Sequence, residues 1–160
     1  MGSGKTHWGR LLGEKLNLPF FDLDEQVISH EGKSVTDIFN SLGEEYFREQ
    51  EKNILHLLSE SHESFVMATG GGTPCYFNNI EYMKQEGVAV WINTSSDILL
   101  ERLVKEKAVR PLISNLSDDQ LQGFIQKKYS DRRIYYEQAD LIVDEYPVEL
   151  DKLISKIFHA

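Results

Sequence analysis

Near its start the chain reads Gly2-Ser3-Gly4-Lys5-Thr6. These are residue types that bind phosphate. Glycines let successive backbone N–H groups turn toward phosphate oxygens. A helix that follows at once adds its unpaired first N–H groups and the positive end of its dipole. Lys5 is placed to reach the β- and γ-phosphates as a point charge, and the Thr6 hydroxyl to ligate Mg²⁺. The same letters also begin ordinary Gly/Ser-rich helices. The full pattern G-x-x-x-x-G-K-[ST] follows a buried strand, and its leading glycine would fall two residues before Met1.

Other positions offer matching chemistry. Phe21-Asp22-Leu23-Asp24 sets two carboxylates two apart at the end of an apolar run, so in a strand both leave on one side. Such oxygens suit Mg²⁺, and one could take a proton from an attacking hydroxyl. The bland alternative is a strand-to-helix turn capped by Asp24. Arg48 and Glu51 are three apart and share a helix face. A carboxylate could hold the guanidinium fork ready for a substrate carboxylate, although such pairs are commonly solvated. Gly70-Gly71-Gly72 after an apolar strand would let backbone lie against a ligand. Arg110-Pro111 lies in a polar stretch between helices, where a lid arginine could close over a nucleotide. Arg132 and Arg133 form a second basic cluster, and Tyr135 and Tyr136 beside them read as packing residues. The five histidines and Cys75 show no metal-ligand spacing.

The elements that must position these residues alternate. Helical spacing covers 8–16, an apolar strand 18–23, a helix 34–61 interrupted at Gly43, and a strand 64–68. There follow a helix 79–86, a strand 88–92, helices 97–107 and 117–139, a strand 141–143 and a closing amphipathic helix 148–158. Alternation of this kind implies a parallel sheet with helices on both faces and a site at the carboxyl ends of the strands. At 160 residues the chain is read as one domain, 1–160. A net charge of −9 argues against nucleic acid or anionic membrane as partner, and requires a local cationic pocket for any anionic substrate. The single cysteine fits a reducing cytoplasm, and no apolar run reaches membrane-spanning length.

Taken in order, M-G-S-G-K-T, F-D-L-D, G-E-E-Y-F-R-E-Q-E, T-G-G-G, R-P-L and R-R-I-Y-Y resemble shikimate kinase across essentially the whole chain. The resemblance implies an α/β, P-loop, nucleoside-monophosphate-kinase-like three-layer fold. Its parallel sheet has the order 2-3-1-4-5, with the central first strand absent from this chain. It implies a lid at about 105–120 and a substrate-binding helical region at about 25–61. The reaction implied is transfer of the ATP γ-phosphoryl group to the 3-hydroxyl of shikimate, on the way to chorismate and aromatic amino acids, by a cytoplasmic monomer using Mg²⁺. Carried over by motif, Gly2, Ser3, Gly4, Lys5, Thr6 and His7 bind the nucleotide, and Thr6 and Asp22 attend the metal. Lys5, Asp24 and Arg110 are the catalytic residues, with Asp24 the base and Arg110 over the phosphates. Asp24, Arg48, Gly70, Gly71, Gly72 and Arg132 bind shikimate, and Phe47 and Glu51 shape that pocket.

Three positions depart from the family pattern: His7 replaces a small hydroxyl residue, Ile134 replaces a proline after the basic cluster, and 144–147 holds no arginine. The Ile134 change leaves the register of Arg132 against Arg133 open. A gluconate-kinase-like enzyme shares the loop and fold. A nucleotide-dependent switch would need N-K-x-D, and the strand at 88–92 runs instead into Asn93-Thr94-Ser95-Ser96. An inactive, N-terminally truncated remnant is the third alternative. Four or five large side chains on a central strand are worth on the order of 10 kcal/mol, comparable to a whole domain's stability. A chain starting at Met1 is therefore expected to fold poorly, and the natural protein to begin roughly ten residues upstream.

Overall fold

The computed structural model describes residues 2–107, 113–144 and 147–159. In order these form α1 (Lys5–Leu16), β1 (Phe20–Asp22), α2 (Leu23–Glu31), α3 (Val35–Ser61), β2 (Val66–Ala68), α4 (Asn79–Glu86), β3 (Val90–Ile92), α5 (Ser96–Glu106), α6 (Asp118–Tyr136), β4 (Leu141–Val143) and α7 (Leu150–Ile157). One turn of 3₁₀ helix, Thr73–Cys75, follows the glycine run.

Among the described residues the strands make two parallel pairs. In one, Phe20 lies opposite Val66 and Asp22 opposite Ala68. In the other, Val90 lies opposite Leu141 and Ile92 opposite Val143. No ladder joins the pairs. They are the pairs 2-3 and 4-5 that remain of the order 2-3-1-4-5 when its central strand 1 is set aside.

Gly4 caps α1 from the left-handed region at φ 85°, a conformation glycine adopts without strain, and its carbonyl accepts from Trp8 N–H at 3.0 Å. The helix lies close on β1: a Cβ at Gly9 would sit 2.7 Å from the Phe20 ring. Gly43, at φ 88° and ψ 167°, breaks α3 where the sequence predicts a break. The core falls into three clusters. Leu23, Val27, Ile38, Phe47, Ile54, Leu55 and Leu58 pack α2 on α3. Leu103, Ile113, Leu121 and Ile125 join α5 to α6. Val143, Val148 and Leu153 seat α7 on β4.

Two local expectations change. The strand predicted over 18–23 stops at Asp22, and α2 begins at Leu23. Asp22, not Asp24, caps that helix: its Oδ1 accepts from Glu25 N–H at 3.3 Å. A capped helix start satisfies an N–H that a continuing strand would leave unpaired at this sheet end, so Asp24 sits in the first turn of α2 rather than at a strand position.

Candidate active site

The carboxyl ends of β1 and β2 and the N-terminus of α1 border an open cleft of about 840 Å³. One end is built by the glycine loop and α1. Gly2, Gly4, Lys5, Thr6 and His7 line it. The loop is tied down from α5, where Arg102 Nη1 donates to the Gly2 carbonyl at 2.8 Å. Thr6 Oγ1 donates to Asp22 Oδ2 at 2.7 Å, joining the loop to the end of β1. A hydroxyl and a carboxylate in contact are hard oxygen donors of the kind Mg²⁺ takes when phosphates and water complete its shell. The first-turn N–H groups of α1 lack a side-chain cap and suit an anion. These residues fit both a nucleotide and its metal. Ser3, between Gly2 and Gly4, does not line this cleft; with Val90, Trp91 and Ile92 it lines a smaller, largely apolar cavity of about 110 Å³ beside β3, which Lys5 also lines.

The other end is built by α3 and the glycine run. Arg48 is 7% exposed and Glu51 fully buried. Arg48 Nη1 donates to Glu51 Oε2 at 2.9 Å, while Nε and Nη2 reach Glu44 Oε1 at 3.4 and 3.3 Å. Glu51's second oxygen accepts from the buried Thr73 hydroxyl at 2.6 Å, and Thr73's carbonyl accepts from Asn79 Nδ2. A charge pair this deep requires such saturation of its lone pairs. Gly70 and Gly72 permit it. A Cβ on Gly72 would collide with the Arg48 guanidinium, and one on Gly70 would sit 2.8 Å from Glu51 Oε1 and 3.1 Å from Asp24 Oδ1. Gly71 is held differently, its carbonyl accepting from Tyr136 Oη at 2.6 Å.

The electrostatics follow from burial. Burial works most strongly against the charge of Arg48, but Glu51, Tyr76 and Glu44 together outweigh it and raise the guanidinium's pKa. Asp24's pKa is raised, first by burial and then by the Glu51 and Asp22 carboxylates; Lys5 and Arg48 oppose the shift. Asp24 is thus within range of the cations at both ends of the cleft. A raised carboxyl pKa suits a group that must take up a proton.

Gly2, Gly4, Lys5, Thr6, His7, Asp22, Asp24, Phe47, Arg48, Glu51, Gly70, Gly71, Gly72 and Arg132 all line this cleft. Ser3 does not, and Arg110 and Pro111 lie outside the described residues. Arg132 faces the cleft, whereas Arg133 is exposed and donates through Nε to Glu137 at 2.6 Å. Of the stretch read as a lid, Ile113 is buried against Leu103 and Leu121. Sequence reasoning missed Arg102, Glu44, Thr73 and Tyr76. Only Glu44 carried a local signal, being four residues from Arg48 on the same helix.

Against known proteins, the family model for shikimate kinase matches residues 1–160. The chain is 41% identical to a shikimate kinase of Azobacteroides pseudotrichonymphae over 157 residues, covering 98% of this chain and 92% of the relative. It is 37% identical to one of Flavobacterium psychrophilum, covering 98% and 94%. The crystal structure of shikimate kinase from Bacteroides thetaiotaomicron superposes with a TM-score of 0.90 at 36% identity, covering 99% of this chain and 92% of that one. Shikimate kinase from Acinetobacter baumannii in complex with shikimate superposes at 0.81 and 32% identity, covering 99% and 87%. Each of these relatives bears the shikimate, not the gluconate, name. The chain belongs to the shikimate kinase family, a family of ATP- and Mg²⁺-dependent phosphotransferases with an alcohol acceptor.

Proposed function

We propose that the cleft divides the phosphorylation of shikimate between its two ends. At the loop end, the amides of Gly2, Ser3, Gly4, Lys5 and Thr6 cradle the ATP phosphates, with His7 at the edge and the Lys5 ammonium on the transferred group. Thr6 and Asp22 would hold Mg²⁺, which when bound would neutralise phosphate charge. At the other end, Arg48 and Arg132 clamp the acceptor carboxylate, and Gly70, Gly71 and Gly72 present backbone to the ring. Asp24 binds the ring hydroxyls and accepts the proton of the 3-hydroxyl. That oxygen bonds to the γ-phosphorus as the bond to the β–γ bridging oxygen breaks, and the electron pair leaves with ADP. Arg110 covers the phosphates, in a lid at about 105–120, and the helical region at about 25–61 holds the acceptor.

Little of this needs covalent chemistry from the protein. Positioning and preorganised charge supply the rate. On a chain of net charge −9, Lys5, Arg48, Arg110 and Arg132 concentrate the cations where two anionic substrates meet. The protein is proposed to act as a cytoplasmic monomer in one domain, 1–160. Among the described residues no helix is long and apolar enough to cross a membrane.

The observation that carries this reading is the pairing within one cleft of the Thr6–Asp22 contact with the buried Arg48–Glu51 pair, Asp24 being sensitive to the charges of both ends. The test is ADP release from ATP and Mg²⁺ with shikimate or gluconate as acceptor, beside Asp24→Asn and Arg48→Ala controls. Turnover with shikimate is expected, slowed about 10²–10³-fold by Asp24→Asn and shifted to far higher shikimate by Arg48→Ala. Turnover with gluconate alone, or variants as active as the parent, would overturn it.

A further inference from the structure

We propose that Tyr76 is a positioning residue for the acceptor pocket, stacking on the Arg48 guanidinium and holding Glu44 so that the arginine fork stays turned toward a bound carboxylate. This rests on the reading of Arg48 as an anchor of that carboxylate.

Tyr76 directly follows the turn that continues the glycine run, so it belongs to the β2 side of the cleft, whereas Arg48 and Glu44 belong to α3. Its ring centroid is 4.5 Å from Arg48 Cζ, nearer than the Phe47 ring at 5.2 Å and the Phe39 ring at 6.0 Å. Its hydroxyl donates to Glu44 Oε1 at 3.1 Å, the oxygen that also receives Arg48 Nε and Nη2. Three of the five guanidinium N–H groups therefore have carboxylate partners among the described residues: two on Glu44 and one on Glu51. One N–H on each terminal nitrogen has no carboxylate partner among the described residues, and these two are left to meet a substrate carboxylate.

Glu51 cannot be the part that varies, because it is buried and saturated. Glu44 is the loose member. Its side chain is 51% exposed, and an exposed i,i+4 pair holds an arginine only weakly. The bond from Tyr76 restrains Glu44 from a second element, and the ring restrains the guanidinium plane. A tyrosine supplies both at once, with few rotamers to freeze. Mere hydrophobic cover would not require the hydroxyl to meet Glu44, so the two contributions can be separated.

The experiment is steady-state kinetics on the full chain with shikimate and ATP varied in turn. Tyr76→Phe keeps the ring and is expected to raise the shikimate KM about threefold. Tyr76→Ala removes ring and hydroxyl and is expected to raise it about tenfold. The ATP KM should hold, and kcat should change less than the shikimate KM. Because Tyr76 and Glu44 act as a unit, Tyr76→Phe with Glu44→Gln should be no worse than the worse single variant. Tyr76 is 39% exposed, so these variants should keep the parent's Tm. If Arg48→Ala raises the shikimate KM and Tyr76→Ala leaves it within about twofold, the inference is wrong while the anchor reading stands. Equal rises in both KM values would reduce Tyr76 to a structural role and overturn it too. If Arg48→Ala itself leaves the shikimate KM unmoved, the anchor reading fails and this inference falls with it.

Discussion

The two ends of the cleft are built on different principles. At the acceptor end the protein meets its own charges. Arg48, Glu51, Thr73 and Asn79 form a buried chain, and Glu44 and Tyr76 close it from outside. At the nucleotide end Thr6 and His7 are exposed, the first turn of α1 has no side-chain cap, and bonds to Arg102, Asp22 and Thr94 tie the loop. The contrast has a physical reason. A lone carboxylate is recognised best by a fork whose direction is fixed beforehand. A polyphosphate with its metal brings several charges and can order backbone amides around itself. The acceptor end is thus preorganised by side chains, and the donor end keeps the first turn of α1 without a side-chain cap.

Variants that respect this division should separate the two ends. Lys5→Ala should cost the most, about 10³-fold in kcat, yet leave shikimate binding to the free protein within about twofold by calorimetry. Loss of shikimate binding would show that the acceptor end depends on the loop. Asp24→Asn should lower kcat by about 10²–10³-fold while the Tm at neutral pH holds or rises. The sign follows from the raised pKa. A carboxyl whose folded pKa lies above its unfolded value stabilises most when protonated, and that stability is lost as pH rises through the folded value. A large fall in Tm would mean that Asp24 is a structural ion.

Smaller effects sharpen the picture of the acceptor end. Gly72→Ala drives a methyl into the Arg48 guanidinium and should raise the shikimate KM about tenfold, with the ATP KM held. Glu51→Ala leaves Arg48 buried without its partner and should cost about 3 kcal/mol, or roughly 6–12 °C in Tm. Smallest is a pH effect. The acid limb of kcat/KM for shikimate should lie above that of an ordinary aspartate, because Asp24 must be ionised to accept a proton and its pKa is raised. Glu51→Gln should move that limb to lower pH, since it removes one of the charges that raise the Asp24 pKa. An unmoved limb would assign it to another group.

Much of this architecture was legible because it is local. Helical spacing and turn residues place α4 at Asn79–Glu86 and β4 at Leu141–Val143 as expected, and Gly43 breaks α3 as expected. Helix α2 was not legible. Phe21-Asp22-Leu23-Asp24 satisfies a strand's alternation and a helix cap equally well, and the cap won once β1 ended. The candidate site was legible as ordered motifs, but not as contacts. Thr6 meets Asp22 across 16 residues, Thr73 meets Glu51 across 22, and Tyr136 meets Gly71 across 65. No spacing rule within one sequence connects such pairs. They arise where separate elements bring their carboxyl ends together, which only the fold determines.

The central claim is that the preorganised Arg48 end receives shikimate as phosphoryl acceptor. The most direct test is to follow ATP-dependent transfer to shikimate by phosphorus NMR. The expected result is a monoester on the 3-hydroxyl, formed with stoichiometric ADP, far more slowly with Asp24→Asn and only at far higher shikimate with Arg48→Ala. ADP formed at the same rate without shikimate, or a phosphoryl group on another acceptor in preference to it, would contradict the account.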